Sequence, residues 1–235
     1  MAQRGAFIVF EGCDRAGKTT QCKKLVDALN RKNVPTEFMN FPDRSTAIGQ
    51  IINDYLQKKI HLPDKAVHLL FSANRWELEP KLREKLESGI SLVVDRYSYS
   101  GVAFSAAKKG MDLQWCWNPE IGLLEPDAVF LLNLSEEAAA MRGGFGQERY
   151  ENLDFQKQVK ENFMAMKSSS WKLIDADKSL EDLHLEIMEL FNKVYTTSHG
   201  TPFKRFASIS RNNYFSLSKE KNIVNEKENA PIDKQ

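Results

Sequence analysis

"AFIVFEGCDRAGKTT", residues 6–20, sets a short apolar run directly before a loop bounded by two glycines. Ala6 to Phe10 shows no polar alternation, as expected of a strand buried on both faces of a parallel sheet, and it runs into Gly12. Gly12, Gly17, Lys18 and Thr19 then meet the spacing G-x-x-x-x-G-K-S/T between strand and helix, the context that defines a phosphate-binding loop. In such a loop the backbone N–H groups wrap phosphate oxygens, the lysine neutralises the β and γ oxygens, and the hydroxyl of Thr19 is a Mg²⁺ ligand. Two further residues, Asp14 and Arg15, add charges of both signs inside this loop, more than phosphate cradling requires.

Outward from the loop, Leu25, Val26 and Leu29 recur at helical spacing until Asn30 to Asn33 ends the pattern. Further strands are expected at Thr36 to Phe41, Ile90 to Val94, Ala128 to Leu134 and Trp171 to Ile174, each followed by helical sequence. Pro63 to Leu78 puts Val67, Leu70, Phe71, Asn74 and Leu78 on one helical face. Pro80 is expected to interrupt that helix, and the next helix stops at Gly89. Helix starts are signalled by Ser135 with Glu136 and Glu137, and by Ser179 with Asp182. The last helix carries Leu180, Leu183, Ile187, Leu190, Phe191 and Val194 on one side. The alternation predicts an α/β three-layer fold of the P-loop NTPase type, a parallel sheet of about five strands with helices on both faces. That domain is expected over residues 1–195, and the Ser-, Asn- and Lys-rich residues 196–235 read as a disordered polar tail.

With Lys+Arg 33 against Asp+Glu 32 the chain is close to neutral, which argues against nucleic-acid or membrane-surface partners. Cys13, Cys22 and Cys116 show neither C-x-x-C pairing nor zinc-ligand spacing, so a reducing compartment is expected. Few residues precede the first apolar run and no stretch is long enough to span a bilayer. No leader peptide is therefore expected, and the expected location is cytoplasmic, with the nucleus as a second possibility.

Candidate site residues follow from the rule that ligands of open α/β sheets lie beyond the carboxyl ends of the strands. Asp95-Arg96-Tyr97 closes the "SLVVD" strand, which puts Asp95 near Mg²⁺ and Arg96 near a phosphate. "FPDRSTAIG" (41–49) brings Arg44 to the same edge. Together with Arg15 these make three guanidiniums on one crevice, a cage suited to two phosphate groups that repel each other. A phosphate monoester, with second pKa ≈ 6, attacks without a general base, so several arginines suit a monophosphate acceptor. A hydroxyl acceptor would need a carboxylate, and Asp14 or Asp43 would supply it in a deoxynucleoside kinase. Phe71 and Arg75, four apart, share a helical face that could stack on a base and hydrogen-bond its edge. "MRGGFGQERYE" (141–151) has the glycine-rich character of a lid that excludes water.

"FEGCDRAGKTTQ", "FPDRSTAIG", "LLFSANRW", "LVVDRYSYSGVAF" and "GQERYEN" stand in the order and spacing of thymidylate kinases, and from about Gly5 to Tyr195 the chain resembles the eukaryotic form of that family. The resemblance implies transfer of the ATP γ-phosphoryl group to dTMP, with Mg²⁺ held by Thr19 and, through water, Asp95, on a fold usually found as a homodimer. It assigns Gly12, Arg15, Ala16, Gly17, Lys18, Thr19, Thr20 and Arg142 to ATP. Asp14, Phe41, Arg44, Phe71, Arg75, Arg96, Tyr97, Ser100, Gly101, Phe104 and Tyr150 go to dTMP. Arg15, Lys18, Asp95 and Arg96 are the catalytic set it implies. Within it Asp14 accepts from the sugar 3′-OH, Arg15 bridges donor and acceptor phosphates, and Tyr97 packs where a 2′-hydroxyl would clash.

Two features depart from the family pattern. Cys13 stands where a small apolar residue is common, beside Lys18 at a helix N-terminus, a setting that can lower a thiol pKa. In the tail, Lys227-Glu228-Asn229 resembles the KEN-type degron read by the anaphase-promoting ubiquitin ligase.

Overall fold

The computed structural model describes residues 3–141, 149–198 and 200–208. The first half of the chain forms β1 (Phe7–Glu11), α1 (Lys18–Arg31), β2 (Thr36–Asn40), α2 (Ala47–Leu56), α3 (Asp64–Glu87), β3 (Ser91–Asp95) and α4 (Ser98–Ala106). The second half forms α5 (Leu113–Trp117), β4 (Leu124–Glu125), β5 (Ala128–Asn133), α6 (Glu136–Met141), α7 (Leu153–Met166), β6 (Trp171–Asp175), α8 (Leu180–Ser198) and β7 (Lys204–Arg205). Five strands make one parallel sheet in the order β2-β3-β1-β5-β6. This is the expected three-layer fold, and each strand lies within one residue of its predicted bounds.

Side-chain alternation along β1 explains its unbroken hydrophobicity, because both faces are covered. Phe7 and Val9 join Leu82 and Leu86 of α3, Val102 and Ala103 of α4 and Phe163 of α7. Ala6, Ile8 and Phe10 join Leu25 and Leu29 of α1 with Leu183, Ile187 and Phe191 of α8. β1 is the central strand, so the loop that follows it emerges at the middle of the sheet edge.

Three expectations need correction. Pro80 does not end a helix: α3 runs through it from Asp64 to Glu87. Proline removes one backbone hydrogen bond, and the fully buried Leu82 and Leu86 beyond it hold the last turns against the sheet. The buried stripe of α3 also contains His68, Ser72, Arg75 and Glu79, so apolar periodicity alone could not find it. The segment Ala47–Leu56 was not anticipated as a helix; it is started by Thr46, whose side chain accepts from the Gly49 N–H.

The third correction concerns residues 196–198 and 200–207, which are not tail. α8 continues to Ser198, and β7 pairs antiparallel with β4. Phe206 is buried, its ring centroid 5.0 Å from Trp117, 5.4 Å from Tyr99 and 6.1 Å from Tyr97. The Trp117 indole N–H donates to the Ala207 carbonyl at 2.9 Å. Phe203 and Phe206 stand in polar sequence without an apolar periodicity, so the burial of Phe206 is visible only once the partner rings are in place. Phe206→Ala is expected to destabilise the protein by about 3–5 kcal/mol, the usual cost of truncating a core phenylalanine. Urea denaturation of the variant against Phe206→Leu, which refills most of the volume, measures this.

Candidate active site

β1 delivers the chain into the loop at Gly12, whose φ is 138°. A Cβ there would lie 2.5 Å from the Leu132 carbonyl oxygen of β5, so only glycine allows the backbone to turn this close to its neighbour. α1 begins after Gly17 with no side-chain cap, which leaves its first-turn N–H groups facing the loop. Lys18 is buried and its Nζ donates to the Cys13 carbonyl at 2.7 Å. Burial, and then the Arg96 charge, lower its pKa from the ordinary lysine range. The Thr19 hydroxyl donates to Asp95 Oδ2, while Asp95 Oδ1 is buried with no hydrogen-bond partner among the described residues.

Arg96 sits at φ 66°, a left-handed conformation unusual for a side-chain-bearing residue. Its guanidinium donates to the Gly12 carbonyl at 3.1 Å, to Ser100 Oγ at 2.9 Å and to Asp14 Oδ1 at 2.5 Å. Burial opposes its charge, but Asp14, Asp95 and Glu11 outweigh it and raise the pKa further. Asp14 is held from the other side by Gln156 of α7, which donates to Oδ2 at 2.6 Å and accepts the Asp14 N–H at 3.0 Å. Arg15, at φ 66°, lies 3.8 Å from Glu151.

Two adjoining compartments open here. One is lined by Asp14 through Gln21, together with Lys178, Leu180 and Leu183. It therefore contains Arg15, Ala16, Gly17, Lys18, Thr19 and Thr20 of the predicted set. The other is lined by Phe41, Arg44, Phe71, Arg75, Tyr97, Ser100, Gly101, Phe104 and Tyr150, all predicted, and by Asn40, Pro42, Leu56, Ser105 and Glu151, which were not. Asp14, Thr19, Asp95 and Arg96 line both and mark the seam. Arg142 and most of the expected lid lie outside the described residues.

At the far end of the second compartment, Arg75 is almost fully buried and pairs bidentately with Glu120, at 2.7 Å through Nε and 2.6 Å through an NH2 group. A Cβ at Gly101 would come within 2.5 Å of the same guanidinium, so glycine there is a close-approach requirement. Tyr97 is buried with its hydroxyl without a partner among the described residues, and burial raises its pKa. The Tyr150 hydroxyl donates to that of Tyr55 at 3.2 Å, and its ring stacks on Phe155 at 5.2 Å. Arg44 is exposed and donates to Asn53 at 3.0 Å.

Asp43 lines neither compartment: its carboxylate accepts from the Ser45 N–H and hydroxyl at 2.9 and 2.6 Å. The Cys13 thiol donates to the Gln156 carbonyl at 3.5 Å, and burial raises its pKa against the smaller effect of Lys18. A neighbouring cation alone thus does not make it reactive.

Glu11, Glu120 and Gln156 were not assigned from the sequence. Glu11 alone carried a signal, an acid ending an otherwise apolar strand. Its carboxyl is pushed up to about 7 by burial, against hydrogen bonds from Ser100 and Tyr97 and the Arg96 charge. Glu120 and Gln156 owe their roles to partners 45 and 142 residues away, which no local pattern encodes.

A phosphate loop on the central strand of a parallel sheet, with a second compartment meeting it at charged residues, defines a phosphate-loop phosphotransferase. The family profile described as thymidylate kinase matches residues 10–187. The thymidylate kinase of Danio rerio is 52% identical over 203 residues, covering 85% of this chain and 96% of that protein. That of Homo sapiens is 50% identical over 204 residues, covering 86% and 96%. A solved thymidylate kinase from Candida albicans superposes with a TM-score of 0.80 at 33% identity, covering 88% of this chain and 100% of that one. The chain belongs to the thymidylate kinase family.

The Arg75–Glu120 pair yields a stability test. Removing one member of a buried pair leaves the other charge uncompensated, at a cost of about 3–5 kcal/mol, whereas replacing both by apolar residues is often neutral. Glu120→Leu should therefore be strongly destabilised in urea titrations, and the Arg75→Met/Glu120→Leu double variant clearly less so.

Proposed function

We propose that this protein is a nucleoside monophosphate kinase that transfers the γ-phosphoryl group of ATP to dTMP, giving dTDP. The observation that carries the reading is the seam, where two compartments share Asp14, Thr19, Asp95 and Arg96. The two carboxylates that the sequence offered to a hydroxyl acceptor as base are otherwise engaged, Asp14 by Arg96 and Gln156 and Asp43 by Ser45. A monophosphate acceptor needs neither, because its dianion is already the nucleophile.

In this reading ATP occupies the compartment of Asp14 to Gln21, with its phosphates on the α1 amides and Lys18. Arg15 and Arg96 stabilise charge on the transferring group, and Arg44 holds the acceptor phosphate. Thr19 and Asp95 would hold Mg²⁺, which suits the orphaned buried Asp95 Oδ1 beside the Thr19 hydroxyl. When bound, that ion offsets negative charge on the β and γ oxygens. Phe71 stacks on thymine, Arg75 donates to its carbonyl edge, and Tyr97 excludes a 2′-hydroxyl. Arg142 and the glycine-rich lid belong to the same reading, closing over ATP.

A coupled ADP-release assay across nucleoside monophosphates, with thymidine included, tests the reaction. The expected result is strong turnover of dTMP, weaker turnover of dUMP and none of thymidine. One methyl in an apolar pocket is worth roughly 1–3 kcal/mol, which bounds the dTMP preference over dUMP near 200-fold. dCMP should be far poorer, since its amino group presents a donor where Arg75 needs an acceptor. Comparable turnover of dCMP and dTMP would overturn the base assignment. Arg15→Ala should lower kcat at least about a hundredfold with little change in ATP affinity, as loss of a transition-state charge donor does. Steady-state kinetics on both substrates checks it.

The proposal extends to a homodimer, a cytoplasmic location with a nuclear pool as second reading, and regulated turnover. Leu69, Trp76 and Ile121 are exposed apolar side chains, and Trp76 lies beside Gly122, so an apolar surface is available for a second copy. Light scattering should give twice the chain mass for the parent and a reduced mass for Trp76→Glu. No described helix is long and apolar enough to cross a membrane. The Lys227-Glu228-Asn229 motif lies outside the described residues. Its replacement by alanines should leave kinetics unchanged and lengthen half-life in cells leaving mitosis, followed by a chase in synchronised cells.

A further inference from the structure

Glu11 is the last residue of β1 and is completely buried, one position before the phosphate loop. A carboxyl group there costs free energy unless its oxygens are satisfied, and an apolar residue would cost the core nothing of the kind. Its partners all come from the turn that opens α4. One oxygen accepts the backbone N–H groups of Tyr97 at 3.0 Å and Ser100 at 3.1 Å, and the other accepts the Ser100 hydroxyl at 2.5 Å. The first N–H groups of a helix have no partner within it, and Tyr97 at the start of α4 provides no side-chain cap. Glu11 therefore caps α4 from a different strand, 86 and 89 residues away in sequence.

The contacts continue past the cap. Ser100 Oγ, whose hydrogen points at Glu11, accepts from the Arg96 guanidinium at 2.9 Å. The same guanidinium returns to the phosphate loop at the Gly12 carbonyl and Asp14. Glu11, Ser100, Arg96 and Gly12 thus form a closed circuit, with the chain from Glu11 to Gly12 as its last link. Arg96 occupies a left-handed backbone conformation, which persists only where the surroundings over-determine it. Adjacent to Ser100, Gly101 packs on the Arg75 guanidinium, so the turn capped by Glu11 also backs the opposite end of the second compartment.

We infer that Glu11 is a positioning residue that registers the acceptor compartment against the donor phosphate loop by capping α4 and, through Ser100, aiming Arg96. The inference rests on the phosphotransfer reading above. A residue serving only the core would, in a folded variant, leave the two nucleotide constants unaltered. A positioning residue moves one of them selectively, because the phosphate loop keeps its own glycines and α1 amides while Arg96 and α4 shift.

The test uses the full chain and three variants, Glu11→Met, Glu11→Gln and Ser100→Ala, with folding of each checked by circular dichroism and denaturation. Parent turnover of dTMP is measured first: its absence would refute the phosphotransfer reading, and this inference with it. Given parent turnover, Glu11→Met should lower kcat/KM for dTMP at least about a hundredfold, the scale of an ångström-sized misplacement, with KM for ATP within about twofold. Glu11→Gln, which keeps an acceptor for the two amides, should recover most of the loss. Ser100→Ala should reduce kcat/KM for dTMP, and adding Glu11→Gln to it should cost less than the product of the two single effects. If Glu11→Met does not fold, the other two variants decide. Parent-like constants in folded Glu11→Met would overturn the inference, as would, where that variant does not fold, a parent-like kcat/KM for dTMP in Ser100→Ala or strictly multiplicative effects in the double variant. Equal increases in both KM values would do so as well.

Discussion

The in-register parallel pairing of β1 with β3, which sets Phe10 opposite Asp95, is the constraint on which the site depends. Because parallel strands end on the same edge, the phosphate loop after β1 and Asp95-Arg96 after β3 emerge as neighbours without any loop having to search for the other. The Arg96 N–H extends the ladder by donating to the Phe10 carbonyl at 2.9 Å. A slip of one residue would turn the buried faces of these strands inside out, so the same packing that secures the fold secures the meeting of Thr19 with Asp95.

Several charged groups are buried in and behind the walls of the two compartments, and none is explained by stability. Lys18, Glu11, Arg75 and Glu120 each lose hydration, and pairs of this kind seldom stabilise a fold more than apolar residues of the same size. Their partners confer direction instead. Glu120 fixes the plane of the Arg75 guanidinium, Gln156 fixes both the amide and the carboxylate of Asp14, and Glu11 fixes the start of α4. Side chains locked in this way need little reorganisation when charge moves, which is what phosphoryl transfer between two anions demands.

β7 brings the chain back behind the site. Phe206 completes an aromatic group with Tyr97, Tyr99 and Trp117, and Tyr97 in turn lines the second compartment. Arg205 forms an ion pair with Glu79 at 3.1 Å and so links the strap to α3, the helix that carries Phe71 and Arg75. Residues that read as solvated polar sequence are thus part of the wall behind the second compartment.

Local information decided a large part of this protein. The apolar run at Ala6 to Phe10, the spacing of Gly12, Gly17, Lys18 and Thr19, and the acid-arginine step at Asp95-Arg96 each depend on chemistry within a few residues, so fold class and the position of the phosphate loop were legible. The strands were legible for the same reason, since burial on both faces writes itself as continuous hydrophobicity. The tertiary structure decided what depends on partners distant in sequence. α3 passes through Pro80 because Leu82 and Leu86 are gripped by the sheet, and Phe206 is core because three rings await it. Arg75, Asp14 and the α4 N-terminus are each oriented by a residue that only folding brings within 3.1 Å. A hydrogen bond between residues 45 to 142 apart leaves no periodicity in the chain, and so the supports of the site, unlike its phosphate loop, could be seen only in three dimensions.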